Sequence, residues 1–585
     1  MDRREMERFL RAYAAELSRS AAQLQTQPMP PLTEQAFALF QETGNRLEYE
    51  GSYFARRKFL AILGLEAILQ SERKQAVDPA LMTRLCQVIE EVCGEETWAL
   101  PAHVDRSGCP DWRITVDLFA AETAQTLSEL ADRLFPLLPE PIFHRMVQEV
   151  ARRVLQPFFR AEAPYSWWEG AGMNWNGVCA GAIGSACIHL HSRGISLPLD
   201  ISRCLARIDR TLERYIGGFP RDGACLEGLG YYTYGMSYYM NYLQEAAESL
   251  GRRPRLPDYF PAIAQFPQKC YFADGQAVSF SDGDSRERYR VGLLAALAQY
   301  APGVRFPNPG SAAGVHTDGC YRFVQLKMDL FCTAQFLRCG VFPPENGSPR
   351  ERVSVFPDAQ WCIAQSSGGA GFACKGGCNQ EPHNHNDIGH FLYEAGGTVF
   401  FPDLGAGEYT ADYFGENRYR ILCNSSAGHS VPAIGGEQMP GPDFRCGDFS
   451  VTTEGKILHV RMEIGSAYGG TPLPPGAAVR VVAFHLGTGA LEVTDRFDCA
   501  LCGAVTENLI TQVPPRLENG CVILERDGRT AVLRVDGASA PPSIRIARLV
   551  HRSHQGTQEP VYAIAWDVGR GGEARFHVEI RPANS

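Results

Sequence analysis

The chain has 585 residues, 45% hydrophobic and 21% charged, with no low-complexity tract, which describes a folded protein too long for a single core. A net charge of −10 argues against a nucleic-acid footprint, which would be basic and clustered. It leaves room for a locally basic pocket that takes an acidic substrate. No apolar run approaches the roughly eighteen residues of a membrane helix, so no membrane partner is expected.

The start, Met-Asp-Arg-Arg-Glu-Met, has no apolar stretch behind its charges, because Phe9-Leu10 gives way to Arg11. It does not read as a signal peptide. Nineteen cysteines without a secretory signal then point to reduced, buried thiols and a cytoplasmic address. The one Cys-x-x-Cys, Cys499 and Cys502, lacks the second pair that a metal site of this type needs. Asn346-Gly-Ser348 is a glycosylation sequon in form only.

Residues 1 to about 300 are helical in pattern. Phe59, Leu60, Ile62, Leu63, Ile68 and Leu69 make a broad apolar face, and Ile142, Met146, Val150 and Val154 recur at helical spacing. Further helices are expected over 113–135, 177–193, 200–216, 233–250 and 289–301, separated by breaks such as Gly217-Gly-Phe-Pro-Arg-Asp-Gly223. Successive helical hairpins of similar length suggest a stacked or ring-like α domain. Pro302 to Gly319 is a loop or linker candidate, and Phe323 to Phe336 again looks helical.

After about residue 350 the period changes. Leu458, Val460, Met462 and Ile464 alternate, as do Phe576, Val578 and Ile580, while Ala478–Leu486 and Val561–Val568 are compact strand-like runs. Short strands at this density, with glycine turns, argue for an antiparallel sandwich. The expected organisation is an α domain over 1–350 and a β domain over 351–585.

Three polar-aromatic clusters stand out. Trp167-Trp168-Glu169-Gly-Ala-Gly-Met-Asn174-Trp175-Asn176 sets aromatic faces beside amide donors, as a sugar groove requires, although adjacent tryptophans more often belong to a core. Arg221-Asp-Gly-Ala-Cys-Leu-Glu227-Gly-Leu-Gly-Tyr231-Tyr232-Thr-Tyr234 offers tyrosines that either pack or act as acid and base. The third is Glu381-Pro-His-Asn-His-Asn-Asp387, with Asp403 and His429 downstream. Read as a strand, His383 and His385 face the same way, and imidazole, imidazole and carboxylate are ligands that zinc accepts. The plain alternative is a polar turn with hydrogen-bonded histidines. Phosphate-binding loops, dinucleotide fingerprints, His-Glu-x-x-His and Gly-x-Ser-x-Gly are all missing from the sequence.

Taken together, the clusters resemble the heparinase II/III-like polysaccharide lyases. The likeness is strongest from Lys375 to Gln438, through Glu-Pro-His-Asn-His-Asn-Asp, Asp403-Leu-Gly-Ala-Gly-Glu-Tyr409, Arg418-Tyr419 and Asn424-Ser-Ser-Ala-Gly-His429. The resemblance implies an α+β multidomain chain, an N-terminal (α/α) toroid followed by a C-terminal antiparallel β-sandwich. It implies a lyase that cleaves uronic-acid-containing glycans, glycosaminoglycan-like or alginate-like, by β-elimination. His383 matches the family's catalytic histidine, Asn174 the asparagine that neutralises the substrate carboxylate, and Tyr231 the catalytic tyrosine. His385, Asp403 and His429 match its zinc ligands, and that zinc, one per chain, is implied to be structural. Trp175, Tyr234, His103 and Arg418 are then candidate substrate contacts, with a hydrogen-bonded structural role the alternative for His103. Several family members carry His where this chain has Trp175, and Tyr231, Tyr232 and Tyr234 all compete for the tyrosine role.

The chemistry suits these residue types. The proton removed in β-elimination lies α to a carboxylate and is very weakly acidic, so the developing enolate needs donors already in place. An Asn amide and a His supply them, and a Tyr hydroxyl can carry the proton. A glycoside hydrolase on the same toroid is the first alternative, with Glu169, Asp222 and Glu227 as its only tempting acids. A non-catalytic carbohydrate-binding protein is the second. A cytoplasmic address would favour acidic oligosaccharides over long polymers.

Overall fold

A computed structural model describes residues 1–73, 76–160, 167–195, 200–342, 351–536, 543–569 and 572–582. The expected domain boundary at residue 350 and the Asn346 sequon lie outside the described residues. The N-terminal region is helical and the C-terminal region is built of sheets. Among the described residues, no helix is long and apolar enough to cross a membrane.

The chain divides into two compact units that are not continuous in sequence. The first comprises Met1–Phe219, Tyr231–Ala264 and Arg288–Pro344. The second comprises Pro220–Gly230, Gln265–Glu287 and Glu345–Ser585. Two short segments from the helical half of the sequence therefore belong with the sheets. The tract Pro302–Gly319 runs inside the first unit and contains the short turn Pro309–Ser311 and a bridge from Ala312 to Tyr289.

Helix starts in the first unit follow local chemistry. Asp2 caps Arg3–Leu24 by accepting from the Glu5 amide while the Glu5 carboxylate accepts from the Asp2 amide. Asp117 caps Leu118–Arg133 through the Ala120 amide at 2.7 Å. The helices Asn174–Ser192 and Leu229–Leu250 approach too closely for side chains between them. A Cβ on Gly181 would lie 2.7 Å from the Tyr238 carbonyl, and one on Gly184 would meet the Tyr242 ring. The contact moves forward along both helices together, so they run parallel and begin at the same end. Asn174 opens one, and Tyr231 sits in the first turn of the other.

Among the described residues, the second unit holds three antiparallel sheets. The first runs in order through Arg352–Phe356, Trp361–Gln365, Ala370–Lys375, Phe391–Ala395 and Thr398–Phe401. An eight-stranded sheet runs from Pro515–Glu518 through Cys521–Arg526, Arg529–Asp536, Glu573–Pro582, Leu491–Phe497, Ala478–His485 and Ile457–Glu463 to Phe449–Glu454. A third orders Arg545–Arg552, Gln558–Asp567, Val505–Thr511 and Ala433–Ile434. One apolar cluster draws on all three, joining Phe372 and Phe391 to Val482, Phe576, Leu509 and Ile564.

Ala478–His485 alternates buried and half-buried residues, so one face meets the core. Trp361–Gln365, Ala370–Lys375 and Phe391–Ala395 are buried at every residue and are covered on both faces. The candidate site hangs from the loop that joins the last two of these strands.

Candidate active site and metal centre

The loop between Ala370–Lys375 and Phe391–Ala395 carries Glu381 to His390 and is anchored by buried strands at both ends. Residues 383–385 belong to no strand, so strand alternation does not align the two histidines. His383 instead takes a left-handed backbone, φ +57°, which is uncommon outside glycine and clusters at functional sites. Amides hold this shape. Gln438 accepts from the Ile388 N–H at 3.0 Å and donates to its carbonyl at 2.8 Å, and Asn386 donates to the Gln438 carbonyl at 3.1 Å. Under the loop, Lys375 and Asp387 form a fully buried ion pair at 3.0 Å.

What brings the histidines together is Asp282, which lies in the segment Gln265–Glu287. Its Oδ2 accepts from His383 Nδ1 at 2.8 Å and from the Tyr409 hydroxyl at 2.9 Å. Its Oδ1 accepts from His385 Nε2 at 3.1 Å and from the Tyr413 hydroxyl. Burial alone would raise this carboxyl, but the bonds from His383 and His385 outweigh it and hold the group well below the usual carboxylate range. Ser281 places Asp282 from another left-handed position, φ +61°, with its hydroxyl on the Leu226 carbonyl. Ser279 donates to the Asp403 carbonyl at 3.3 Å, and Gly405 packs its bare Cα against the Gly283 carbonyl, where a Cβ would clash. Glu227 lies on the other side of the His383 ring, 3.6 Å from Nε2.

Next to this carboxylate, His385, Asp403 and His429 bring one ligand atom each within 4.8 Å of one another. All three side chains are fully buried. His385 Nε2 faces the Asp282 carboxylate, and His429 Nε2 donates to the Cys423 carbonyl at 2.8 Å. Both acceptors lack a proton, so each ring carries its hydrogen on Nε2 and turns an Nδ1 lone pair inward. Neither Nδ1 has a hydrogen-bond partner, and neither does Asp403 Oδ2. Two imidazole lone pairs and a carboxyl oxygen that converge without hydrogen-bond partners fit a zinc ion. Burial pushes the Asp403 carboxyl well up and the His429 imidazole down to about 3, so the pocket favours neutral groups until a cation enters.

His390 completes the pocket wall, with Nε2 3.6 Å from Asp403 Oδ2. Its Nδ1 accepts the Ser430 N–H at 3.0 Å, so the neutral ring bears its proton on Nε2. It therefore faces Asp403 as a donor and offers no lone pair as a fourth ligand. A second group of this kind, Glu129, His189 and Glu245, already holds its own cation. Lys327 lies 2.7 Å from both glutamates, and the charges around His189 push its imidazole up to about 10 against the opposing effect of burial.

The remaining sequence candidates are sorted by what they touch. Arg418 donates to the Tyr413 and Asn384 carbonyls at 2.9 and 2.8 Å and braces the His383 loop. In the helical unit, Asn174 is buried at the mouth of its helix, and Trp175 lies edge-on to His103 at 5.1 Å and against Trp167 at 4.9 Å. His103 Nδ1 pairs with Asp117 at 2.7 Å. Trp167 is 58% exposed, whereas Trp168 is core, stacked on Phe158. The three tyrosines separate cleanly. Tyr232 is buried and donates to the Ile263 carbonyl at 2.9 Å. Tyr234 is buried against Glu122, with Arg322 over its ring at 3.8 Å. Tyr231 alone of the three is partly exposed. Asp282 carries no sequence signal, because it stands about a hundred residues before the histidines it holds. His390 was visible, five residues after His385, but nothing local gives its role.

No family model matches the chain, and no curated protein does. Solved structures show what the fold is: that of the heparinase-like polysaccharide lyases. A heparinase III crystal structure matches 100% of this chain and 92% of its own, at a TM-score of 0.62 and 13% identity. Heparan sulfate lyase HepC from Pedobacter heparinus matches 99% of this chain and 89% of its own, at 0.55 and 13%. A mutant of that lyase matches 98% and 89%, at 0.57 and 13%.

Proposed function

We propose that the chain is a polysaccharide lyase that cleaves uronic-acid-containing glycans by β-elimination, with glycosaminoglycan-like substrates favoured by the fold's relatives. On this reading the helical unit is the (α/α) toroid and the sheet unit the β-sandwich of such enzymes. One observation carries it above all: a histidine held by a buried carboxylate beside three converging metal-competent atoms, on a fold matched along its whole length by heparinase III.

Tyr231 is the proton carrier, being the tyrosine of its cluster whose ring is not sunk in the core. Asn174 binds the substrate carboxylate and stabilises the charge that develops on it. His383 is the catalytic histidine of this reading, set between Asp282 on one side and Glu227 on the other. Trp175, His103 and Trp167 offer aromatic faces to the sugar rings. One structural zinc per chain would sit on His385, Asp403 and His429 and tie three separate stretches of chain together. The free thiols suit a reducing, cytoplasmic setting, where short acidic oligosaccharides would be the substrate.

The hydrolase alternative loses ground. Glu169 is gripped by Arg207 through two bonds at 2.8 and 2.9 Å, and Asp222 is spent on the Asp358 and Ala359 amides. The test is to incubate the protein with a panel of uronate oligosaccharides and follow ultraviolet absorbance and reducing ends together. A lyase raises both. Reducing ends without absorbance would mean hydrolysis, and neither signal across the panel would mean a binding protein.

A further inference from the structure

We propose that Asp282 is a positioning residue that sets the tautomers of His383 and His385 at once, giving each ring the unprotonated nitrogen its task requires. Its role at the metal pocket follows from this chain's own hydrogen bonds. Its consequence for turnover rests on the lyase reading above.

Each side chain that hydrogen-bonds to Asp282 is a donor: His383 Nδ1, His385 Nε2, and the hydroxyls of Tyr409 and Tyr413, with the Arg418 guanidinium 4.0 Å from Oδ2. An ionised carboxylate has about four acceptor sites and no proton, so these four donors use it fully. Each histidine must therefore present N–H to Asp282. The neutral His383 ring is left with its lone pair on Nε2, the nitrogen that faces Glu227. His385 is left with its lone pair on Nδ1, the atom that converges with His429 and Asp403. One side chain thus prepares two sites of different character, a proton-handling ring and a metal ligand. The two are separated by one residue in the loop.

An amide cannot replace it. Asn keeps one accepting oxygen and adds two N–H donors, so one of the two faces must turn from acceptor to donor. If the Oδ2 side changes, His383 has to accept at Nδ1 and carry its proton on Nε2. If the Oδ1 side changes, His385 has to accept at Nε2, and its Nδ1 is closed to a metal. Loss of an outer-shell carboxylate of this kind lowers metal affinity or activity by about ten- to a hundredfold.

The experiment uses the full chain labelled with ¹⁵N-histidine, as isolated and as Asp282→Asn, with single His383→Gln and His385→Gln chains to assign the signals. Imidazole ¹⁵N spectra report which nitrogen carries the proton, and bound zinc is measured by mass spectrometry. In the unaltered chain, His383 should be protonated at Nδ1 and His385 at Nε2, with Nδ1 of His385 shifted by added zinc. Asp282→Asn should reverse one of these rings. It should then lose at least tenfold in zinc affinity if His385 turns, or in turnover with zinc retained if His383 turns. The opposite tautomers in the unaltered chain would overturn the proposal even if the variant failed to fold. So would a folded Asp282→Asn with both tautomers and its zinc affinity unchanged. If the unaltered chain eliminates no uronate, the lyase reading fails, while the tautomers and the zinc still decide the role of Asp282.

Discussion

Chelation is the sharpest test of the proposed zinc, because three converging atoms of the pocket lack a hydrogen-bond partner. His385 Nδ1, His429 Nδ1 and Asp403 Oδ2 are buried and have no hydrogen-bond partner in the protein. A buried polar atom left unmet costs about 1–3 kcal/mol, so three of them amount to roughly 3–9 kcal/mol that a bound ion would offset. In a unit of this size, 1 kcal/mol moves the melting temperature by about 2–4 °C, and chelation should lower it by at least about 6 °C. The purified chain should carry about one zinc, measured by mass spectrometry, and calorimetry should show the fall in the transition of the sheet unit. Asp403→Ala should lose the ion and reproduce the shift without chelator. Metal-free protein with an unchanged melting temperature would refute the reasoning and leave His385 and His429 as ordinary hydrogen-bonded residues.

Tyr231→Phe should lower turnover by about 10² or more with little change in stability, the usual scale for a positioned acid–base group. Tyr232→Phe should instead keep turnover and lose about 1 kcal/mol of stability, because it breaks the bond to the Ile263 carbonyl. Asn174→Ala should reduce kcat with a similar KM, since its amide matters most once charge reaches the carboxylate, and steady-state kinetics separate the two. For pH, His189 is raised from an unfolded value near 6.5 to about 10, so the folded state favours its charged form. Its contribution is complete below about pH 6.5 and disappears as pH rises through 10. The melting temperature of the helical unit should fall across that window by the equivalent of up to about 5 kcal/mol, and His189→Gln should flatten the slope.

Much of this protein is legible in local pattern. Helical spacing of apolar residues foretells the helices Leu47–Glu72 and Ile201–Gly217, and strict alternation foretells Ile457–Glu463 and Glu573–Pro582, because each period records which face meets a core. The motif Glu381 to Asp387, with Asp403 and His429, marks its own pocket, since several ligand-type residues close in sequence need little folding to meet. The fully buried strands around that motif show no alternation, and there periodicity was silent.

Tertiary structure decided the rest. Asp282 reaches His383 and His385 only because the segment Gln265–Glu287 leaves the helical half and packs with the sheets. His390 faces the same pocket as His385, Asp403 and His429, yet the Ser430 amide makes it a donor. Tyr231, Tyr232 and Tyr234 are chemically identical in the sequence and are told apart by burial and by what each hydroxyl touches. The physical reason is common to all three cases. A residue's type sets which protons and lone pairs it owns, but which of them are already spent depends on neighbours that only the folded chain supplies.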